Sequence, residues 1–243
     1  MTLPNSTYPP DSSDSGSVTF FIVCDFDGTI TVRDTLNLVV KRYAPQVWDS
    51  MEEKLQSGEL SLVEVMKEEF RHVKAPEDEV VDFVLREAGL RRGFTEFVDW
   101  VEEEGHELVV VSAGFRVLID AVLLQAGLHR LHVHAGDALF STQGAKLSFP
   151  PASAECLERC GHCKSETIES HAPFPGPVVY VGDGYSDRCP ALEADVVFAR
   201  GDLATYLEGK EVSFYQYEDF FEVRDVLQRL ARTFGRAAGA GRS

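Results

Sequence analysis

Residues Val18 to Cys24 (VTFFIVC) form an unbroken apolar run that stops abruptly on two aspartates, Asp25 and Asp27. A run this short, with no polar alternation and many aromatic and β-branched side chains, reads as a strand buried on both faces. Three other runs look alike: Glu107 to Val111, Pro177 to Val181 and Asp195 to Phe198. Helical patterns separate them at Phe94 to Glu104, Phe115 to Ala126, Ser165 to His171 and Tyr185 to Glu193. Strands alternating with helices predict an α/β fold, a Rossmann-like parallel sheet core with helices on both faces. Ala138 to Phe149 carries a Gln-Gly turn between apolar flanks and predicts a hairpin beside that sheet.

The alternation breaks between residues 36 and 89. Four amphipathic helices are expected there in succession: Leu36 to Tyr43, Gln46 to Gln56, Leu60 to Val73 and Glu77 to Ala88. Ser61 with Glu64 fits a capping box, and Pro76 fits the first turn of the last helix. The block reads as a helical cap (36–89) inserted into a core made of residues 18–35 and 90–234. Residues 1–17 (Pro, Ser and Asp-rich) read as a disordered tail, and 235–243 (Gly, Ala and Arg-rich) as a flexible one.

Forty acidic residues against 23 basic ones give a formal charge of −17. That argues against a nucleic-acid or anionic-membrane partner, each of which calls for a basic face. An anionic substrate would therefore need positive charge supplied locally. No stretch of about 18 apolar residues is present, so no membrane span is expected. The opening residues lack the basic and apolar regions of a signal peptide, and a cytoplasmic location is expected. Five cysteines are too few for a disulfide framework. Cys156, Cys160, His162 and Cys163 offer one Cys-x-x-Cys where a zinc site usually has two pairs, so a structural loop is favoured and zinc stays open. Cys24 and Cys189 read as packed side chains.

The chemistry lies where the strands end, since ligands of open α/β sheets bind outside the carboxyl ends of the strands. Asp25-Phe26-Asp27-Gly28-Thr29 places two carboxylates, then Gly-Thr, at one such end. Hard oxygens in that density suit Mg²⁺. Ser112-Ala113-Gly114 precedes a helix and could cradle a phosphate, although Ser112 could equally be a helix cap. Lys164 opens a helical stretch. Gly182-Asp183-Gly184-Tyr185-Ser186-Asp187 repeats the pattern of a carboxylate pair, with glycines that allow close backbone approach.

Taken in this order, the four segments resemble the haloacid dehalogenase superfamily, in its phosphatase branch with a small helical cap. The resemblance covers about Phe20 to Arg232. Further features are similar to the phosphatases of methionine salvage, which act on 2-hydroxy-3-keto-5-methylthiopentenyl-1-phosphate. These are Cys24 to Thr31, Asp34, Gly93-Phe94 with Glu96-Phe97-Val98, Cys160 to Lys164, Phe198-Ala199-Arg200 and Tyr217-Glu218-Asp219-Phe220. The resemblance implies that Asp25 is the nucleophile, Asp27 the general acid and base, and Lys164 the neutralising cation. It implies Mg²⁺ held by Asp25, the backbone carbonyl of Asp27, and Asp183, with Gly184 and Asp187 in support. Gly28, Thr29, Asp34, Ser112, Ala113 and Gly114 are then expected to bind a small phosphorylated metabolite. Phosphoserine phosphatases usually carry Glu where this chain has Asp34. The alternatives are a phosphatase for phosphoserine, phosphoethanolamine or phosphocholine, and a non-catalytic phosphoryl sensor or scaffold. The oligomeric state is not legible.

Overall fold

The computed structural model of the protein describes residues 18–150, 160 and 163–240. The 1–17 segment, Cys156 and His162 lie outside the described residues. A seven-stranded sheet organises the chain, in the order β4 (Lys146–Ser148), β3 (His132–Leu139), β2 (Glu107–Phe115), β1 (Phe21–Cys24), β5 (Val178–Gly182), β6 (Val196–Ala199), β7 (Tyr215–Gln216). All neighbours are parallel except β3 and β4, the expected hairpin, which pair antiparallel through Ala138 opposite Leu147. The fold is therefore α/β, with a mostly parallel sheet.

Side chains of β1 alternate between two apolar layers. Ile22 and Cys24 join Val110, Val179 and Val181 on one face, packed by α5 (Phe94–Glu103) and α10 (Phe220–Ala240). Phe21 and Val23 join Val109, Val111 and Tyr180 on the other, under α8 (Arg188–Glu193) and α9 (Gly201–Gly209). Both layers are buried, which explains why the strand runs show no polar alternation.

Four helices lie between β1 and α5: α1 (Thr35–Tyr43), α2 (Pro45–Gln56), α3 (Leu62–Phe70) and α4 (Glu77–Glu87). Local capping explains their starts. Asp34 accepts the Asn37 N–H at 2.8 Å to cap α1, and Ser61 with Glu64 forms the reciprocal box at α3. Pro76 is the residue before α4 rather than its first turn. The chain leaves and re-enters the core at one point, because Thr31 bridges Leu90 and the Val32 N–H reaches the Gly89 carbonyl at 2.9 Å.

Three local expectations are corrected. Strand β2 runs on through Ser112-Ala113-Gly114, and α6 (Arg116–Gln125) starts only after Phe115. Ser112 thus lies on an irregular strand extension, where the β2–β3 register shifts between Val111 and Phe115, and not at a helix N-terminus. Helix α10 reaches Ala240, through part of the segment read as a flexible tail; its alanines and arginines are good helix formers. Cys24 is buried as expected, but Cys189 is exposed.

Candidate active site

Strand β1 is central and flanked by β2 and β5, so the carboxyl ends of all three converge. Asp25 follows β1 directly, its backbone N–H held by the Val181 carbonyl at 2.9 Å. The Asp25 side chain is buried, and its Oδ1 accepts from the Lys164 ammonium, the first residue of α7 (Lys164–Ser170). Its Oδ2 has no hydrogen-bond partner among the described residues. That leaves one carboxylate oxygen anchored and one available to react.

Lys164 is itself fully buried and reaches Asp187 Oδ1 at 2.5 Å. Burial alone would lower its pKa, but Asp187 and Asp25 outweigh that and raise it, so it remains charged. Asp187 is saturated: Oδ1 also accepts from the Tyr180 hydroxyl at 2.6 Å, and Oδ2 from the Asp183 and Gly184 N–H groups at 2.9 and 2.8 Å. Its role in this geometry is to fix Lys164 and the turn after β5.

Asp27 sits in a single π-type turn, Phe26–Ile30. Its Oδ1 accepts from the Thr35 N–H at 3.0 Å and the Thr35 hydroxyl at 2.5 Å, and its Oδ2 from the Ser112 hydroxyl at 3.0 Å. Ser112 Oγ in turn accepts the Gly114 N–H at 2.8 Å. Asp183 Oδ1 accepts from Thr29 Oγ1 at 2.9 Å.

Thus Asp25, Asp27, Asp183 and Asp187 crowd around one ammonium. Burial, then repulsion from Asp187, raises Asp25 well above the ordinary carboxylate range, and the same two causes push Asp183 up to about 7. Asp27 is raised by burial, against the hydrogen bonds from Thr35 and Ser112. The raised Asp27 carboxyl suits a general acid, and the Lys164 ammonium opposes the effect of burial at Asp25 by favouring the ionised form that a nucleophile needs. A cavity of about 400 Å³ opens over this cluster. It is lined from the core by Asp25, Asp27, Ser112, Ala113, Gly114 and Asp183, and from the insertion by side chains of α1 to α3.

Residues 22–192 match the family model described as haloacid dehalogenase-like hydrolase. The chain belongs to the haloacid dehalogenase-like hydrolases. Among curated relatives, the 2-hydroxy-3-keto-5-methylthiopentenyl-1-phosphate phosphatase of Brevibacillus brevis is 31% identical over 86% of this chain and 95% of its own length. The protein of the same name from Geobacillus thermodenitrificans is 33% identical over 86% of this chain and 96% of its own. A solved structure described as a phospho-aspartyl intermediate analogue of phosphoserine phosphatase shares the fold, with a TM-score of 0.65 at 19% identity, covering 87% of this chain and 99% of that one. Within the haloacid dehalogenase-like hydrolases this chain is a phosphomonoesterase.

Not every expected contact of this hydrolase lies in the cavity. Thr29 is buried and donates its hydroxyl to Asp183 instead of facing a ligand. Gly28 lets Asp183 approach. Its φ is +79°, and a Cβ there would collide with the Asp183 carboxylate. Gly28→Ala should therefore cost about 1–3 kcal/mol of stability and more than tenfold in kcat/KM. Denaturant unfolding and phosphate release check this; an unaltered enzyme on both counts would refute it. Asp34 lines the cavity, but its Oδ1 caps α1, and burial with repulsion from Asp27 pushes it up to about 8.

Four residues escaped the sequence reading. Thr35 orients Asp27, and Tyr180 orients Asp187. Buried Arg91 donates from Nε to the Thr29 carbonyl at 2.5 Å and from Nη2 to the carbonyls of Gly28 and Thr31, clamping the turn that carries Asp27. None of these three has a local signal, because each acts on a partner distant in sequence or in an unpredictable turn. Glu69 did have one: it falls seven residues after Leu62 on the apolar face of α3, where a charge breaks the pattern.

Proposed function

We infer that this enzyme hydrolyses a small hydroxy-keto phosphate monoester whose organic part is uncharged, with 2-hydroxy-3-keto-5-methylthiopentenyl-1-phosphate as the best candidate. The observation that carries the reading is the lining of the cavity away from the phosphate end. Leu36, Trp48, Leu55, Leu62, Val65 and Met66 supply an apolar wall, and no lysine or arginine lines the cavity among the described residues. Phosphoserine would bring a carboxylate with no cation to receive it, and only its ammonium would find partners in Asp34, Glu52 and Glu69. Leaving the carboxylate unpaired is costly. A methylthio end is apolar and polarisable and suits a wall containing Met66 and Trp48. The names of the curated relatives point the same way.

The proposed sequence of events uses this chain's own groups. Asp25 Oδ2 attacks phosphorus and forms an aspartyl-phosphate, while Asp27 gives its proton to the leaving alkoxide. Asp27 then takes a proton from water, which attacks the aspartyl-phosphate and releases phosphate. Ser112 binds a phosphate oxygen, and Lys164 balances charge on phosphate and on Asp25. The donor set also fits Mg²⁺. Carboxylate oxygens of Asp25, Asp183 and Asp187 lie within 4.8 Å of one another, and their mutual repulsion exceeds what one lysine offsets. Because Asp187 is saturated, Asp25, Asp183 and the backbone carbonyl of Asp27 are the residues proposed to hold the ion, which would supply electrostatic stabilisation of the phosphoryl group.

Phosphate release from the keto phosphate and from phosphoserine, each with Mg²⁺ or with EDTA, tests the reading. The keto phosphate should be at least tenfold better in kcat/KM, which is about 1.4 kcal/mol of transition-state discrimination. EDTA should abolish both activities and Mg²⁺ should restore them. Equal or better turnover of phosphoserine would remove the substrate assignment, and full activity in metal-free protein would remove the cation.

A further inference from the structure

Glu69 is the least expected residue of the cavity wall. It is 6% exposed, and no hydrogen bond or ion pair engages its carboxyl among the described residues. It shares one face of α3 with Leu62, Val65 and Met66, at helical spacings of three, four and seven. Glu52 of the neighbouring helix α2, a like charge, lines the same wall. An unpaired carboxyl in such a place costs stability, and a leucine or methionine there would continue the apolar face without that cost. Packing therefore gives no reason for a glutamate. The adjacent Glu68 is half-exposed and pairs with Arg71 at 2.6 Å, so the two neighbouring glutamates occupy opposite environments.

Burial, and then repulsion from Glu52, pushes Glu69 up to about 7. Near neutrality its carboxyl can thus donate a hydrogen bond as well as accept one. Its location is equally specific. Asp25, Asp27 and Ser112 occupy the phosphate end of the cavity, whereas Glu69 stands on the insertion among apolar side chains, where the organic part of a bound monoester must lie. The Glu69 carboxyl has no protein partner among the described residues and borders the open cavity, so a ligand that displaces the cavity water becomes its partner.

We propose that Glu69 is the specificity-determining residue of this phosphatase, hydrogen-bonding a hydroxyl or keto oxygen of the leaving group while the apolar wall holds its non-polar end. The inference rests on the substrate reading above and extends it to one residue. It sorts monoesters in a defined way. A hydroxy-keto chain satisfies Glu69, a purely apolar chain leaves it unpaired, and a carboxylate-bearing chain is repelled by it. Sites built to hydrogen-bond a substrate hydroxyl discriminate strongly, because the analogue lacking it strands a buried polar group.

The experiment compares wild type, Glu69→Gln and Glu69→Leu on three monoesters: the methylthio-keto-pentenyl phosphate, p-nitrophenyl phosphate and phosphoethanolamine. Inhibition by inorganic phosphate and thermal unfolding are measured alongside. Glu69→Leu should lose at least tenfold in kcat/KM on the keto phosphate, chiefly through KM. Glu69→Gln, which keeps a donor and an acceptor, should lose less. On p-nitrophenyl phosphate, which offers Glu69 no hydroxyl or keto oxygen, Glu69→Leu should lose nothing or gain, phosphate inhibition should stay within threefold of wild type, and Glu69→Leu should melt higher than wild type. Equal losses on every monoester, or weakened phosphate inhibition, would overturn the inference by making Glu69 a structural support of the catalytic end. No loss on any monoester would overturn it too. Wild-type preference for phosphoethanolamine would overturn it differently, by making Glu69 an ammonium partner. If wild type simply neglects the keto phosphate, the substrate reading fails by itself. The inference then stands or falls on whether Glu69→Leu selectively loses the hydroxylated monoester that a wider panel shows to be hydrolysed best.

Discussion

Asp25→Asn should reduce turnover by at least about 10³-fold while leaving the fold intact. An amide oxygen is nearly the size of a carboxylate oxygen, so packing after β1 is preserved, but it is a poor nucleophile toward phosphorus. The position is demanding for a second reason. Asp25 is buried, with Oδ1 already engaged by Lys164, which leaves Oδ2 as the oxygen proposed to attack. Asp27 is tied on both oxygens, to Thr35 and to Ser112. Stopped-flow or radiolabelled phosphate trapping should show a phosphoenzyme in wild type and none in the variant. Activity above a tenth of wild type would remove Asp25 as nucleophile. A cooperative unfolding curve like that of wild type ensures that the loss is chemical.

The second large effect is expected at Lys164. Replacing it with methionine keeps most of the buried stem but leaves Asp25 and Asp187 with no counter-charge. Removing one partner of a buried ion pair typically costs about 3–5 kcal/mol, because the other charge is left uncompensated. Two buried carboxylates share this lysine, so Lys164→Met should fall in or above that range and, if the ammonium also balances phosphate charge as proposed, lose at least about 100-fold in kcat/KM. The double variant Lys164→Met, Asp187→Asn separates the two effects. Neutralising Asp187 removes one stranded charge, so stability should recover in part while activity does not. Denaturant melts and steady-state kinetics on p-nitrophenyl phosphate decide this. If the single variant is as stable as wild type, the ammonium is not the counter-charge of the pair. If the double variant regains activity, Lys164 has no place in the chemistry.

Local signals in this chain specify its strands, its strand-end carboxylates and its helical block. Apolar runs without alternation foretold strands buried on both faces, and β1, β2, β5 and β6 are such strands. The carboxylates after two of them were legible because a strand's direction fixes which end carries the ligand, and Asp25 and Asp183 follow β1 and β5. The helical block from residue 36 was legible from its period and its caps, with Ser61 and Glu64 forming the box their spacing implied. In each case the information lies within a few residues, where backbone geometry and hydrophobic period act.

Tertiary structure decided what depends on groups far apart in the chain. Lys164 and Asp25 are 139 residues apart, and only the tertiary placement of α7 beside β2 and α8 brings the ammonium to the end of β1. Arg91 reads as one more surface charge until the insertion returns and delivers it beneath the turn at Gly28 and Thr29, where it meets carbonyls that strand pairing leaves unused. Ser112 looked like a helix cap, but the β2 extension turns it toward Asp27. Glu69 broke the apolar period of α3 in plain view, yet a charge on a helix is ordinarily solvated. Only tertiary packing buries most of this residue and leaves its carboxyl on the cavity wall, where the proposed contact with the leaving group would be made.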